Sequence, residues 1–245
     1  TISGSITTGG RSAYGIRNDG NNNTTTISGS ITTEGNYAYG IYNRGDSNTT
    51  TVSGSIKTGT GDDAYGIYNG GNHNTTTVSG SIETSGYTDG YGIYNYGDNN
   101  TTTVSGTITT SGDTDSVSHG IRNRGDSNTT TVSGNIVTRE AYGHGIYNEG
   151  NENITTMSGS ISTMGDEAHG IYNEDNENTI TISGTVKATG TKSAALYNKS
   201  GSGNTFTLNE GATIIGDILA IDATGTAYDA TNSKLIFNLG ASTSY

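Results

Sequence analysis

The sequence predicts an all-β fold: a parallel β-helix, or β-solenoid, of about nine coils of ~25 residues. Three observations carry that expectation. A repeat spans nearly the whole chain, side chains alternate with period two inside each repeat, and length varies at one point only. The block "GIYN", or a close variant, begins at Gly15, Gly40, Gly66, Gly92, Gly120, Gly145, Gly170 and, degenerately, Ala195, in steps of 25, 26, 26, 28, 25, 25 and 25 residues. A second block, "TTTVSG" and its variants, places its serine at 28, 53, 79, 105, 133, 158 and 183, after Ser3 from an incomplete first copy. From each Gly to the next Ser is always 13 residues, whereas from each Ser to the next Gly is 12, 12, 13, 13, 15, 12 and 12. The stretch between the "SGSI" and "AYG" strands is therefore a loop, and everything else is fixed geometry.

The first strand pair of a coil is read from "NTTTISGSI" (23–31). One parity carries Thr25, Ile27, Gly29 and Ile31, and it becomes apolar in later copies (Ile180, Phe206). The other carries Thr24, Thr26, Ser28 and Ser30 and stays hydroxylic or amide, so the first parity faces inward and the second faces water. The "AYGIYN" strand adds a third inward position: Ile16, Ile41, Ile67, Ile93, Ile121, Ile146, Ile171 and Leu196. About three apolar residues per coil bury nothing alone, but stacked in register they form three aliphatic columns. Two asparagine columns bracket a short glycine-containing turn: Asn18, Asn43, Asn69, Asn95, Asn123, Asn148, Asn173, Asn198, and Asn23, Asn48, Asn74, Asn100, Asn128, Asn153, Asn178, Asn204. Asparagine tolerates left-handed backbone, and its amides are expected to bond coil to coil. With a ~4.8 Å rise per coil the rod is on the order of 40 Å long, and right-handed winding is expected for this coil length. Residues 1–207 form the repeat helix, and 208–245 are expected to be C-terminal coils or a cap that shields the open end.

Composition sets the bounds on function. The chain has 245 residues, 29% hydrophobic, with 39 Gly and no Pro, Trp or Cys. A net charge of −12 argues against nucleic acid and against a basic membrane-surface patch. Without cysteine there is no disulfide framework or thiolate metal site. No apolar run reaches the roughly 18–20 residues of a membrane span, and no cofactor is expected.

Four outward constellations are candidates for contact. The hexapeptide "NRGDSN" occurs at 43–48 and 123–128. Arg44, Asp46, Arg124 and Asp126 thus belong to Arg-Gly-Asp strings of the kind integrin-type receptors read. Other copies of this turn follow N-x-G-[N/D]-x-N, so Gly and Asp are turn requirements and only the arginine is free. A tyrosine column, Tyr42, Tyr68, Tyr94, Tyr147, Tyr172 and Tyr197, is expected to form a contact stripe, with Arg122 stacked between Tyr94 and Tyr147. Thr49, Thr51, Thr75, Thr77, Thr101 and Thr103 belong to a T-x-T grid similar to those with which β-solenoid ice-binding proteins order water, though threonine also suits any exposed strand. His119, His144 and His169 replace the tyrosines Tyr14, Tyr39, Tyr65 and Tyr91 one position before the Gly. They read as structural, with metal binding or pH sensing as the alternative. The loop carboxylate pairs Asp62/Asp63, Asp113/Asp115 and Asp166/Glu167 face no converging base or nucleophile, so no enzyme is expected.

The coils "AYGIYN…G…TTTVSGSI", closing with "GATIIGDI" and "KLIFNLGASTSY", resemble the passenger region of Gram-negative autotransporters (type V secretion) over essentially the whole chain. That resemblance implies export through the outer membrane, extracellular display on the bacterial cell surface, and commonly adhesion. The signal peptide and C-terminal translocator barrel of that family are not in this sequence, so a fragment or processed piece is expected. The expected function is a surface-displayed structural or adhesive rod acting by multivalent contact with a cell-surface or matrix protein or glycan. The rivals are an ice-binding solenoid and a self-associating extracellular filament subunit.

Overall fold

The computed structural model describes residues 1–112, 117–220 and 233–238. Within them lie 27 strands in three parallel sheets of nine, and each sheet takes one strand from every coil. Coil 3 shows the pattern: Ser55–Thr58 belongs to the first sheet, Ile67–Asn69 to the second and Thr75–Val78 to the third. Each strand pairs with its equivalents above and below, so Ile41, Ile67 and Ile93 are successive ladder partners. Three aliphatic files fill the interior, exemplified in coil 3 by Ile56, Ile67 and Val78, each at most 1% exposed. Burying one such side chain is worth about 1.5–3 kcal/mol.

The chain turns from third to first sheet at the "SG" dipeptide, where backbones of adjacent coils almost touch. A Cβ at Gly54 would lie 1.8 Å from the Gly29 carbonyl oxygen, so no side chain fits there. At the opposite corner, the variable loop is closed by a threonine file the aliphatic pattern did not reveal. Thr33, Thr58, Thr84, Thr110, Thr138 and Thr163 are fully buried. Each donates its hydroxyl to a carbonyl beyond the loop: Ala38, Ala64, Gly90, Ser118, Gly143 and Ala168 in turn. One bond thus seals loops of every length.

From coil 2 onward the two asparagine files are buried, and they work differently. In the first, Asn43 Nδ2 donates to Asn69 Oδ1 at 2.9 Å and to Thr50 Oγ1 of its own coil at 3.1 Å. The same pair of bonds recurs at Asn69 and Asn95. This is the expected amide ladder. It is interrupted once, at Asn173, whose Oδ1 has no donor and whose threonine partner is replaced by Ile180. In the second file each amide bonds backbone instead. Asn48 Oδ1 accepts the Asn23 N–H at 2.8 Å, and its Nδ2 donates to the Gly45 carbonyl at 2.8 Å.

Beyond Phe206 the repeat fades in the sequence, yet the ladders continue. Thr205–Asn209 runs across the 207/208 boundary and pairs with Lys234–Asn238. Thr213–Ile215 and Asp217–Leu219 extend the other two sheets. The degenerate Ala195 coincides with a register shift between Ala194 and Leu196.

Two substitutions separate the apolar and polar contributions. Ile93→Ala is expected to destabilise the rod by about 2–5 kcal/mol. Asn95→Ala, which strips partners from Asn69, Thr102 and Asn123, is expected to cost about 2–3 kcal/mol although little apolar area is lost. Urea denaturation followed by circular dichroism measures both.

Candidate functional site: the turn edge, the aromatic files and the threonine face

The turn that follows each second-sheet strand forms one long edge of the rod. Its backbone is held by a third side-chain file that the sequence did not expose as a ladder: Asn21, Asp46, Asn72, Asp98, Asp126, Asn151 and Asn176. Each Oδ1 accepts the backbone N–H of the next member, as in Asp46 to Asn72 at 2.8 Å and Asp126 to Asn151 at 2.7 Å. The last, Asn176, accepts from Ser202. Both Arg-Gly-Asp carboxylates are therefore structural acceptors as well as exposed charges. Gly45 is equally constrained, since a Cβ there would meet the Gly20 carbonyl oxygen at 2.3 Å. Ser47 and Ser127, which follow the two strings, sit in left-handed backbone at φ 58° and 56°.

The two arginines differ. The Arg44 side chain is exposed and makes no hydrogen bond, ion pair or ring contact among the described residues, although its backbone N–H donates to the Asn18 carbonyl at 2.8 Å. Arg124 lies 5.0 Å over the Tyr96 ring, donates to the Tyr94 hydroxyl at 3.4 Å and stands 3.8 Å from Glu149. Only the first copy presents a free guanidinium.

The tyrosine column is less open than alternation alone suggests. Tyr42, Tyr68 and Tyr147 are half-buried, while Tyr94, Tyr172 and Tyr197 are 5%, 9% and 7% exposed. A second aromatic file, Tyr14, Tyr39, Tyr65, Tyr91, His119, His144 and His169, folds over from the loop side and packs against the first. Ring centroids along it lie 4.7–5.4 Å apart. The half-exposed ring of this region is Tyr96, at 46%. Burial raises the hydroxyl pKa of Tyr39, Tyr65, Tyr68 and Tyr91, so these phenols stay neutral.

Arg122 sits in the expected sandwich, 5.3 Å from both the Tyr94 and Tyr147 rings. It also donates to the Tyr91 hydroxyl at 2.8 Å and to Glu149 Oε2 at 2.6 and 3.0 Å. Burial opposes its charge, but Tyr91, Tyr94 and Glu149 outweigh that and hold its pKa above the ordinary arginine value. The histidines stack face to face in the interior of this region. No group of three or more His, Asp or Glu suited to a metal ion occurs among the described residues.

The outward face of the third sheet carries no charge over eight coils. From Thr24 and Thr26 to Thr205 and Thr207 its two columns hold fifteen threonines and Ile154, all ladder partners. The candidates Thr49, Thr75 and Thr101 are exposed, and Thr51, Thr77 and Thr103 half-buried. Asp62 and Asp166 serve coil-to-coil contacts, accepting from Asn36 at 2.6 Å and from the Thr191 N–H at 2.8 Å, while Asp63 accepts from Tyr65 of its own coil at 3.2 Å. Glu167 pairs with Lys192 at 3.0 Å. Asp113 and Asp115 lie outside the described residues.

Fold and edges together define a parallel β-solenoid rod built from one repeat. No protein-family model, no curated protein and no solved structure matches the chain.

The division of labour in the turn is testable by melting temperature. Arg44→Ala should leave stability within about 0.5 kcal/mol of the parent. Asp46→Ala should cost about 1 kcal/mol or more, because the Asn72 amide loses its acceptor. Arg122→Ala should cost about 2–3 kcal/mol by stranding Glu149 and the Tyr91 hydroxyl.

Proposed function

We propose that this chain is the rod of a surface-displayed bacterial protein of the autotransporter passenger type. It acts without catalysis, as an adhesive spacer that engages a cell-surface or matrix protein or glycan through repeated weak contacts. The observation that carries this reading is the register of the turn edge. Equivalent turns recur coil upon coil, so contact groups are held at a fixed ~4.8 Å rise. The two Arg-Gly-Asp turns, in coils 2 and 5, stand about 14 Å apart on that edge. Rigid presentation raises the effective concentration of a second contact once the first has formed. The buried tyrosines Tyr94, Tyr172 and Tyr197 stiffen the rod in this reading, and contact falls to the turns.

Cell and glycan binding by the parent, by Arg44→Ala, by Arg124→Ala and by the double variant tests this. Arg44→Ala is expected to weaken binding more than Arg124→Ala, and the double variant to lose tenfold or more. Unchanged binding by the double variant would remove the turns from the mechanism.

A second reading draws on the threonine face. An uncharged, in-register lattice of hydroxyls and methyls on a protein of net charge −12 is the surface that ordered water would match. Thermal hysteresis that is present in the parent and lost in Thr77→Tyr plus Thr103→Tyr would establish it, whereas no hysteresis in the parent would end it.

A further inference from the structure

The histidine file differs from the tyrosine file it continues in one respect: it accepts hydrogen bonds from backbone. His119 Nδ1 accepts the N–H of His144 at 3.0 Å, His144 Nδ1 that of His169 at 3.0 Å, and His169 Nδ1 that of Ala194 at 2.9 Å. The acceptor must be the unprotonated nitrogen, so each imidazole is neutral with its proton on Nε2. The rings are 2%, 7% and 7% exposed and stack at centroid distances of 4.9 and 5.0 Å. One proton on any of them removes an acceptor from a buried N–H and places a cation within a stacked file.

We propose that this imidazole file makes coils 5 to 8 an acid-sensitive segment of the rod, in which neighbouring coils separate on acidification before the tyrosine-lined coils 1 to 4 do.

Charged and aromatic groups from each neighbouring coil surround the file. From coil 4, Tyr91 stacks on His119 at 5.0 Å, and Asp89 lies beside Tyr91. Arg122 of coil 5 adds a fixed positive charge near His119 and His144, neutralised in part by Glu149. Tyr147 of coil 6 meets His119 edge-on at 5.1 Å, and Tyr172 of coil 7 stacks on His144 at 4.4 Å. Tyr197 of coil 8 stacks on His169 at 4.4 Å, while Lys199 adds a second positive charge and is paired with Glu174. Glu167 favours protonation of His169, and the buried Glu140 lies in the loop before His144.

Burial, then the neighbouring cations, hold His119 and His144 well below the ordinary histidine pKa, and burial lowers His169 to about 4. Folded values below the unfolded ~6.5 mean that the unfolded segment takes up protons first. The stabilisation is whole above pH ~6.5 and is lost as pH falls toward 4. Asp89 and Glu140, raised by burial, act in the opposite direction, since acid relieves the cost of their buried charge. In coils 1 to 4 the same file holds Tyr14, Tyr39, Tyr65 and Tyr91, with no imidazole among them.

Hydrogen exchange by mass spectrometry on the parent chain, from pH 7 to 4.5 and corrected for intrinsic rates, tests the proposal. Amides of His144, His169 and Ala194 are expected to lose protection by about tenfold or more per pH unit below 6.5. Amides of coils 2 and 3 should change by less than about threefold. His144→Tyr, which installs the residue used in coils 1 to 4, should flatten the dependence. The imidazole nitrogen shifts of His119, His144 and His169 provide a second readout that needs no variant, with the Nε2–H form expected at these three down to pH 5. Equal loss in both halves, no loss to pH 4.5, or His119, His144 and His169 titrating near 6.5 with protection intact would each overturn the proposal.

Discussion

A buried amide in this rod finds one partner in its own coil and another one coil up or one coil down. Parallel strands stand ~4.8 Å apart, so each side chain lies over its own counterpart and must tolerate a near copy of itself as neighbour. That constraint selects residue types. An amide has both donor and acceptor, and Asn43, Asn69 and Asn95 therefore bond to one another in an unbroken series. Aromatic rings stack on their own kind, as Tyr42 does on Tyr68 at 5.2 Å. Opposite charges pair from one coil to the next, as Lys57 does with Glu83, Arg122 with Glu149, Lys192 with Glu167 and Lys199 with Glu174.

The same constraint explains how so few apolar residues suffice. Three aliphatic side chains per coil would leave a globular domain without a core, but here each is covered above, below and across by members of the three files. The remaining interior is polar and closed by hydrogen bonds, two files of threonines and two of asparagines. Such networks are worth having only when complete. The gap in the first asparagine ladder, at Asn173, coincides with the loss of its threonine to Ile180, and the neighbouring apolar side chain takes up the space.

Because contacts are made only between adjacent coils, stability is close to a sum of local terms. A rod of this kind can be weak in one segment and firm in another. Its outer surfaces follow the same logic in reverse: whatever one coil presents, the next presents again at the same height. The turn edge and the threonine face are both consequences of that repetition, and they differ in charge because the acidic residues concentrate in the turns and loops.

Much of this was legible in the sequence. The step between "GIYN" blocks determined the register, the alternation in "TTTVSG" determined which side chains point inward, and the spacing of Tyr94, Arg122 and Tyr147 placed the guanidinium between two rings. Alternation reports only the side of the strand from which a side chain leaves. It does not report what folds over it, and so Tyr94, Tyr172 and Tyr197 read as an open stripe although the loop-side Tyr and His file covers them. Likewise Asp46 and Asp126 read as turn residues, but only the tertiary structure shows their carboxylates holding the amide of the next coil. The donor for a side-chain acceptor here lies some 25 residues away along the chain, and its direction is settled by how one coil sits upon another.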